Sequence, residues 1–174
     1  HRLHPKANIT FFIDGYVQPE ASSLRELAIA LKDSEHTLAA TGVPSLGRTA
    51  ERHTKAMLRE GGLQGGLFAL SSRAMEEIVH QGFRLPMGLY RVDSLIGAAI
   101  NFNFDPATNS WTPSRIRVQP SATYRYQTLR WWRIKDLITH LKRMRRQAQG
   151  ALENQAVRNH LAHKRQSPET LPRT

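Results

Sequence analysis

Strand-like and helix-like patterns alternate along the first 120 residues of the chain. Runs of apolar, β-branched and aromatic residues predict strands at "NITFFID" (8–14), "HTLAATGV" (36–43), "GGLFALS" (65–71) and "RIRVQ" (115–119). Apolar residues at helical spacing, several of them bounded by Ser or Gly, predict helices within 22–32, 48–62, 71–82 and 92–102. Because alternating strands and helices are typical of α/β proteins, we expect an α/β fold, a sheet flanked by helices.

From residue 133 the pattern changes to a long helical period. Its apolar residues form one stripe, with most of the arginines off it: Ile134, Leu137, Ile138, Leu141, Met144 and Ala148. Helical spacing then continues through Leu152, Val157 and Leu161. The sequence therefore predicts a basic amphipathic helical region over 131–166, followed by a flexible tail over 167–174.

Positive charge is concentrated in the last third of the chain. Residues 1–112 contain 11 Lys or Arg and 11 Asp or Glu, whereas residues 113–174 contain 14 and 3, so the second segment carries the whole net charge of +11. Such a segment suits phosphate groups on nucleic acid, on anionic lipid or on a phosphorylated substrate. Charge alone does not choose among these partners.

Three interpretations fit the basic helical region. It can lie on a membrane surface, with its apolar stripe inserted and its arginines on lipid phosphates. It can pack the stripe on the α/β core, which is the commonest outcome for an amphipathic helix. It can bind nucleic acid, with aromatic side chains stacking on bases: Tyr124, Tyr126, Trp131 and Trp132. No recognised nucleic-acid motif accompanies these aromatics, so nucleic acid is the least favoured partner.

The composition excludes several kinds of site. The absence of cysteine excludes disulfide frameworks, thiolate metal sites and cysteine nucleophiles, and fits a reducing compartment. The longest apolar runs, such as 95–100, are too short to cross a bilayer. We therefore expect a cytoplasmic location, with peripheral association at the inner face of the cytoplasmic membrane as the alternative. Because the chain begins at His1, we also expect it to be a piece of a longer protein.

Two acids and a pair of glycines stand at the ends of predicted elements. Asp14 follows the first strand, where open α/β sheets bind ligands, although an Asp before Gly15 is equally typical of a turn. Asp93 lies at the start of a predicted helix, where an acid usually caps the first turn. Gly65 and Gly66 precede a strand, and the missing Cβ atoms either ease strand entry or let a ligand approach the backbone.

The segment "YQTLRWW" (126–132) completes a series of motifs. Gln127, Arg130 and Trp131 match the Gln-x-x-Arg-Trp motif of processive family 2 glycosyltransferases, such as the cellulose and hyaluronan synthases. The motif begins 34 residues after Asp93 (127 minus 93), and the order of Asp14, the glycines, Asp93 and this motif resembles the order in that family. The resemblance spans about residues 5–135. It implies that 1–130 form the acceptor half of a GT-A catalytic domain, with a partial GT-A-like mixed sheet.

The resemblance also implies a role for each motif residue. Asp93 would act as the catalytic base that takes the proton of the acceptor hydroxyl. Asp14 would hold the nucleoside diphosphate through a divalent cation, Mn²⁺ or Mg²⁺, and Arg130 would neutralise the diphosphate. The acceptor would contact the remaining motif residues: Gln127, Trp131, Gly65 and Gly66.

The function implied by the resemblance is inverting transfer of a sugar from a nucleotide sugar to a hydroxyl of an acceptor glycan or lipid, in cell-envelope or polysaccharide synthesis. The family's nucleoside-binding half precedes this region, so we expect it in the same or another chain. Two positions depart from the family, because Tyr16 replaces the second acid of its Asp-x-Asp motif and Val92 replaces the first member of an acidic pair. These departures favour a second hypothesis, a non-catalytic module that docks on membrane or nucleic acid through residues 131–166.

Overall fold

The computed structural model describes residues 8–45, 50–86, 88–126, 134–167 and 170–171. Five strands are present in this part of the chain: β1 (Ile9–Ile13), β2 (Val17–Pro19), β3 (Ala39–Pro44), β4 (Leu67–Ser71) and β5 (Ile116–Tyr126). The α-helices are α1 (Ser23–Lys32), α2 (Ala50–Glu60), α3 (Ser72–His80), α4 (Val92–Asn101) and α5 (Ile134–Arg158), which continues as a π-helical turn, Asn159–His163. The predicted α/β class is confirmed as a mixed sheet with flanking helices.

The five strands form one sheet in the order β1-β4-β3-β5-β2. Strands β3 and β5 are parallel, and the other neighbouring pairs are antiparallel. The apolar run of the first strand does not lie in the centre of the sheet, because β1 is an edge strand that pairs only with β4 within the described sheet. Its side chains Phe11 and Ile13 are 37% and 46% exposed. Asp14 therefore leaves the sheet at an edge, next to open surface.

Helices cover both faces of the sheet. Successive residues of a strand point to opposite faces, and β4 follows this rule. Leu67 and Ala69 pack with Leu27 and Leu31 of α1, whereas the alternate residues of β4 pack on the other face against α3 and α4. That second cluster includes Phe68, Leu70, Ala74, Met75, Ile96, Ala99 and Ile100. Burial of Ile96, Ala99 and Ile100 in this cluster holds α4 in place, and with it Asp93 near the start of the helix.

Strand β2 was not predicted, because a three-residue segment is too short to show an alternating pattern. Its conformation comes from pairing with the end of β5, in which Val17 lies opposite Tyr126 and Pro19 lies opposite Tyr124. This pairing extends β5 well beyond the five residues that the sequence indicated. It also brings the turn after β1 next to Tyr126, the last described residue before the Gln-x-x-Arg-Trp motif.

Helix α5 packs on the domain with a face that differs from the predicted apolar stripe. Val157 and, in the π-helical turn, Leu161 are buried against Leu95 and Phe102. The stripe residues whose side chains the structure describes are exposed: Ile138 (47%), Leu141 (58%), Met144 (54%) and Ala148. For these residues, packing of the stripe on the α/β core was the wrong interpretation. Among the described helices, none has the length and apolar character needed to span a membrane.

Candidate functional site

A cavity of about 560 Å³ lies where the turn after β1, the segment before β4 and the start of α4 meet. It is lined by four of the predicted site residues, Asp14, Gly65, Gly66 and Asp93, although Asp14 and Asp93 are 79 residues apart (93 minus 14). Tyr16, at the position of the missing second acid, also lines it. The cavity size is within the usual range for small-molecule sites, about 300–1,000 Å³.

Backbone hydrogen bonds fix Asp14 at the cavity edge. Its N–H donates to the carbonyl oxygen of Gly66 over 3.1 Å, and its own carbonyl accepts from the N–H of Val17 over 2.9 Å, which closes the turn between β1 and β2. Burial raises the pKa of the Tyr16 phenol, and a hydrogen bond to the Asp14 carboxylate raises it further. Tyr16 is therefore a neutral hydrogen-bond donor that orients the Asp14 carboxylate. It does not supply the negative charge of the second acid in the Asp-x-Asp motif.

The Asp93 carboxylate is held from two sides. Its Oδ2 accepts the N–H of Gly65 over 2.9 Å, and its Oδ1 lies 3.5 Å from the Arg91 Nε. The Asp93 side chain is only 11% exposed, yet it lines the cavity. Because 3.5 Å exceeds the usual length of a hydrogen bond, Oδ1 keeps the capacity to accept a proton from a ligand hydroxyl. The Arg91 Nε is buried without a hydrogen-bond partner, so the geometry of this pair is set by charge.

Packing within the protein explains why the two glycines precede β4. A Cβ at Gly66 would lie 2.6 Å from the ring of Tyr124, and a Cβ at Gly65 would lie 3.1 Å from the carboxyl carbon of Asp93. The space that the sequence analysis assigned to a bound sugar is thus occupied by Tyr124 and Asp93 on that side of the glycines. Gly65 contributes to the site through its N–H, which sets the position of the Asp93 carboxylate.

Three half-exposed tyrosines surround the cavity, and sequence analysis did not single them out as a group. Tyr16, Tyr90 and Tyr126 are 37%, 38% and 40% exposed, and all three line the cavity. Tyrosine combines a flat apolar face with a polar hydroxyl, which suits the mixed surface of a sugar. Their separation in sequence, in a turn, a loop and a strand end, hid this arrangement.

Tyr124 lies fully buried behind this tyrosine rim. Its ring meets the ring of Tyr126 edge to face, with ring centroids 5.4 Å apart and the two hydroxyl oxygens 3.5 Å apart. Burial raises the pKa of the Tyr124 phenol far above its ordinary value of 10.0, and the neighbouring Tyr126 raises it further. The folded protein therefore holds this phenol neutral.

We predict that Tyr124 makes the fold sensitive to alkali. The unfolded chain ionises this tyrosine near pH 10 while the folded protein does not, so stability is complete below pH 10 and falls above it, by about 1.4 kcal/mol per pH unit for one such group. In urea unfolding, the free energy of unfolding of the variant Tyr124→Phe should decrease less between pH 10 and 11.5 than that of the native protein. Equal slopes for the two proteins would contradict this prediction.

Helix α5 fixes the loop that precedes α4. Oε2 of the buried Glu153 accepts the N–H groups of Tyr90 and Arg91 over 2.8 and 3.0 Å. Gly150 allows this close approach, because a Cβ there would lie 2.8 Å from the Arg91 side chain. Sequence analysis missed Glu153, whose only signal was that it is one of two acids in a basic helix. Its contacts with Tyr90 and Arg91 connect the basic helical region to the candidate site.

The described residues supply few ligands for a divalent cation. No group of three or more His, Asp or Glu residues that could hold a metal occurs among them. In the cavity, the Asp14 carboxylate is hydrogen-bonded to Tyr16. The Asp93 carboxylate accepts a hydrogen bond from Gly65 and forms an ion pair with Arg91. This donor set does not fit a hard cation, which takes six or more oxygen ligands. Dependence on Mn²⁺ or Mg²⁺ stays a prediction from the resemblance.

Three predicted site residues, Gln127, Arg130 and Trp131, lie outside the described residues. Tyr126, the residue before this motif, lines the cavity. No protein-family model matches the chain, and no curated protein matches it. The function of the site is therefore inferred from its geometry and from the motif resemblance.

Proposed function

We propose that the chain carries the acceptor half of a GT-A-like glycosyltransferase site, which transfers a sugar from a nucleoside-diphosphate sugar to an acceptor hydroxyl. The observation that supports this proposal most is the shared cavity. Asp14, Gly65, Gly66 and Asp93 were selected from three separate segments by their motif order, and all four line it. This convergence is what a single site built from the four residues requires, and it therefore supports the proposal.

In the proposed reaction Asp93 is the general base. The acceptor hydroxyl approaches Oδ1, its proton moves to the carboxylate, and its oxygen attacks the anomeric carbon as the bond to the diphosphate breaks. Gly65 and Arg91 keep the carboxylate oriented toward the cavity. The guanidinium of Arg91 also adds positive charge near the leaving diphosphate, a role that the motif resemblance assigns to Arg130.

The remaining roles follow from the side chains at the cavity rim. The tyrosine rim offers flat faces and hydroxyls to the acceptor sugar, and the motif resemblance assigns Trp131 to the same sugar. Asp14, oriented by Tyr16, can accept hydrogen bonds from hydroxyls of the donor sugar. None of these steps requires a cation. The acceptor in this proposed reaction is a hydroxyl of a glycan or lipid, as the motif resemblance implies.

The proposal is tested by donor consumption with the native, full-length protein. Nucleotide sugars that carry uridine, guanosine or thymidine are supplied with a mixed glycan and lipid extract, with and without Mn²⁺, and release of the nucleoside diphosphate is measured. We expect one donor class to be consumed only when acceptor is present. If the folded protein consumes none of the donors, the transferase proposal is overturned and the non-catalytic module is favoured.

A second function, docking on an anionic membrane, is supported by the exposed stripe of α5. Ile138, Leu141 and Met144 are about half exposed, and cationic side chains flank them on the same helix: Lys142, Arg145 and Arg146. An apolar stripe bordered by cations suits the interface of an anionic bilayer. A second copy of this chain would place like charges opposite one another, which disfavours self-association through this face.

We predict that Leu141→Glu weakens binding to vesicles that contain phosphatidylglycerol by at least about tenfold, because it adds a charge to the inserted surface. Co-sedimentation measures the bound fraction. Leu58→Glu on α2 is the matched control, since Leu58 is 54% exposed and Leu141 58%. Equal binding of the two variants would exclude the stripe as the docking surface. Preference for RNA over vesicles at matched salt would support the nucleic-acid alternative instead.

A further inference from the structure

A second cavity, of about 580 Å³, lies beside the candidate site and shares two of its walls. In the segment before β4, residues 61–63 line the second cavity and residues 64–66 line the first. In α4, Asp93 and Ile96 face the first cavity, whereas Ser94 and Gly97 face the second. A ligand in the second cavity would therefore contact the opposite side of the elements that hold Asp93.

Apolar side chains form most of the wall of the second cavity, and small residues make room for a ligand. Phe102, Val157 and Leu161 form its buried base, and Trp111 and Pro113 are exposed beside them. The small residues that line it are Gly61, Gly62, Gly97, Ala98 and Ala162. Trp111 is 42% exposed and packs edge to face on Phe102, with ring centroids 5.2 Å apart. Covering these walls with an apolar chain would release about 25 cal/mol for each Å² removed from water.

The charged residues at this cavity have one sign. Arg59 and Arg158 line it, and no Asp or Glu occurs among its described lining residues. Guanidinium groups form paired hydrogen bonds with phosphate and carboxylate oxygens, so the charged part of a ligand here should be an anion. The cavity thus combines an apolar interior with a cationic border.

We propose that the second cavity binds an amphipathic anion, a molecule with an alkyl chain and a phosphate or carboxylate headgroup. The chain lies against Trp111, Ala98 and Ala162, and the headgroup pairs with Arg158. A lipid phosphate and a free fatty acid share this chemistry. Binding at this site does not depend on the proposed transferase function; only the further step of identifying the ligand with the acceptor would rest on it.

Calorimetric titration of the chain with four probes below their micelle concentrations tests the proposal: dodecyl phosphate, laurate, dodecanol and inorganic phosphate. We expect saturable one-to-one binding of dodecyl phosphate, and at least about tenfold weaker binding of dodecanol and inorganic phosphate, because each lacks half of the recognised chemistry. Laurate binding as tightly as dodecyl phosphate would indicate a fatty acid, and weaker laurate binding would indicate a lipid phosphate. Equal binding of dodecanol, or no saturable binding of dodecyl phosphate, would overturn the proposal.

Variants locate the binding within the molecule. Arg158→Glu should weaken dodecyl phosphate binding at least about tenfold, and Ala162→Trp should do the same by filling the cavity with a ring. Arg25→Glu, the same charge change on the exposed side of α1, and Leu141→Glu, on the α5 stripe, should leave binding unchanged. Thermal unfolding confirms that each variant is folded. Retained binding in both cavity variants would assign the ligand to another surface and contradict the proposal.

Discussion

Replacing Asp93 by Asn is expected to lower the turnover of sugar transfer by about a hundredfold or more, the usual contribution of a general base. The amide has the same shape as the carboxylate, and its oxygen can still accept the N–H of Gly65, a contact of 2.9 Å in the native protein. It cannot take the proton of the acceptor hydroxyl. Turnover falls while the KM for the donor changes little, because the donor sugar does not depend on this proton transfer for binding.

The control for this variant is Asp33→Asn, which makes the same chemical change at the exposed end of α1. It should retain full turnover. Unfolding curves of both variants establish that the fold is intact. Native turnover in folded Asp93→Asn would exclude Asp93 as the base, and a rise in the donor KM without loss of turnover would indicate that Asp93 binds the donor instead.

Replacing Glu153 by Ala is expected to lower the free energy of unfolding by about 3 kcal/mol, because two backbone N–H groups lose their acceptor. Glu153 is only 7% exposed, and its Oε2 accepts both the Tyr90 and the Arg91 N–H groups. Gly150 brings α5 close to this loop, and a methyl group from Ala cannot replace the carboxylate oxygens. Urea unfolding monitored by circular dichroism measures the change.

Two further variants separate the causes of this loss. Gln149→Ala removes only the 2.7 Å hydrogen bond to Glu153 Oε1 and should cost no more than about 1 kcal/mol. Glu153→Gln keeps an oxygen that can accept the loop N–H groups. Its loss in free energy of unfolding should lie between the losses of Gln149→Ala and Glu153→Ala. A change below about 0.5 kcal/mol in Glu153→Ala would mean that the loop finds other partners, and the contact would not fix its position.

The Glu153 contact also connects the two proposed functions. The described stripe residues Ile138, Leu141 and Met144 are exposed, whereas Glu153 on the same helix holds the residues that precede Asp93. Docking of the stripe on a membrane would thus orient the helix that supports the site. If this connection matters, Glu153→Ala should reduce turnover as well as stability under conditions where the variant remains folded.

Local patterns in the sequence predicted most of the elements well. Strand β4 and helix α3 lie where the apolar run and the Ser71 cap placed them, and the Ser71 hydroxyl accepts the N–H of Ala74 as such a cap should. The edge position of β1 was not predicted, because the order of strands depends on pairing between distant segments. Strand β2 was missed for the same reason, since only its pairing with β5 makes it a strand.

The candidate site was predictable only in part. Asp14, Asp93 and the two glycines carried a signal because their motif order resembled a known family. Arg91 and the tyrosine rim carried no such signal, because they converge from separate elements. The outward orientation of the α5 stripe was also hidden, since helical periodicity identifies an apolar face without showing what covers it.

The sequence by itself determined the local conformations and the separation of charge, because both depend on residues that are close together in the chain. The tertiary structure alone decided which segments share a cavity, which face of α5 is buried and which backbone groups Glu153 satisfies. These outcomes depend on residues that are far apart in the chain, such as Asp14 and Asp93, which are 79 positions apart and line one cavity. Such residues come together only when the whole sheet and its helices pack together.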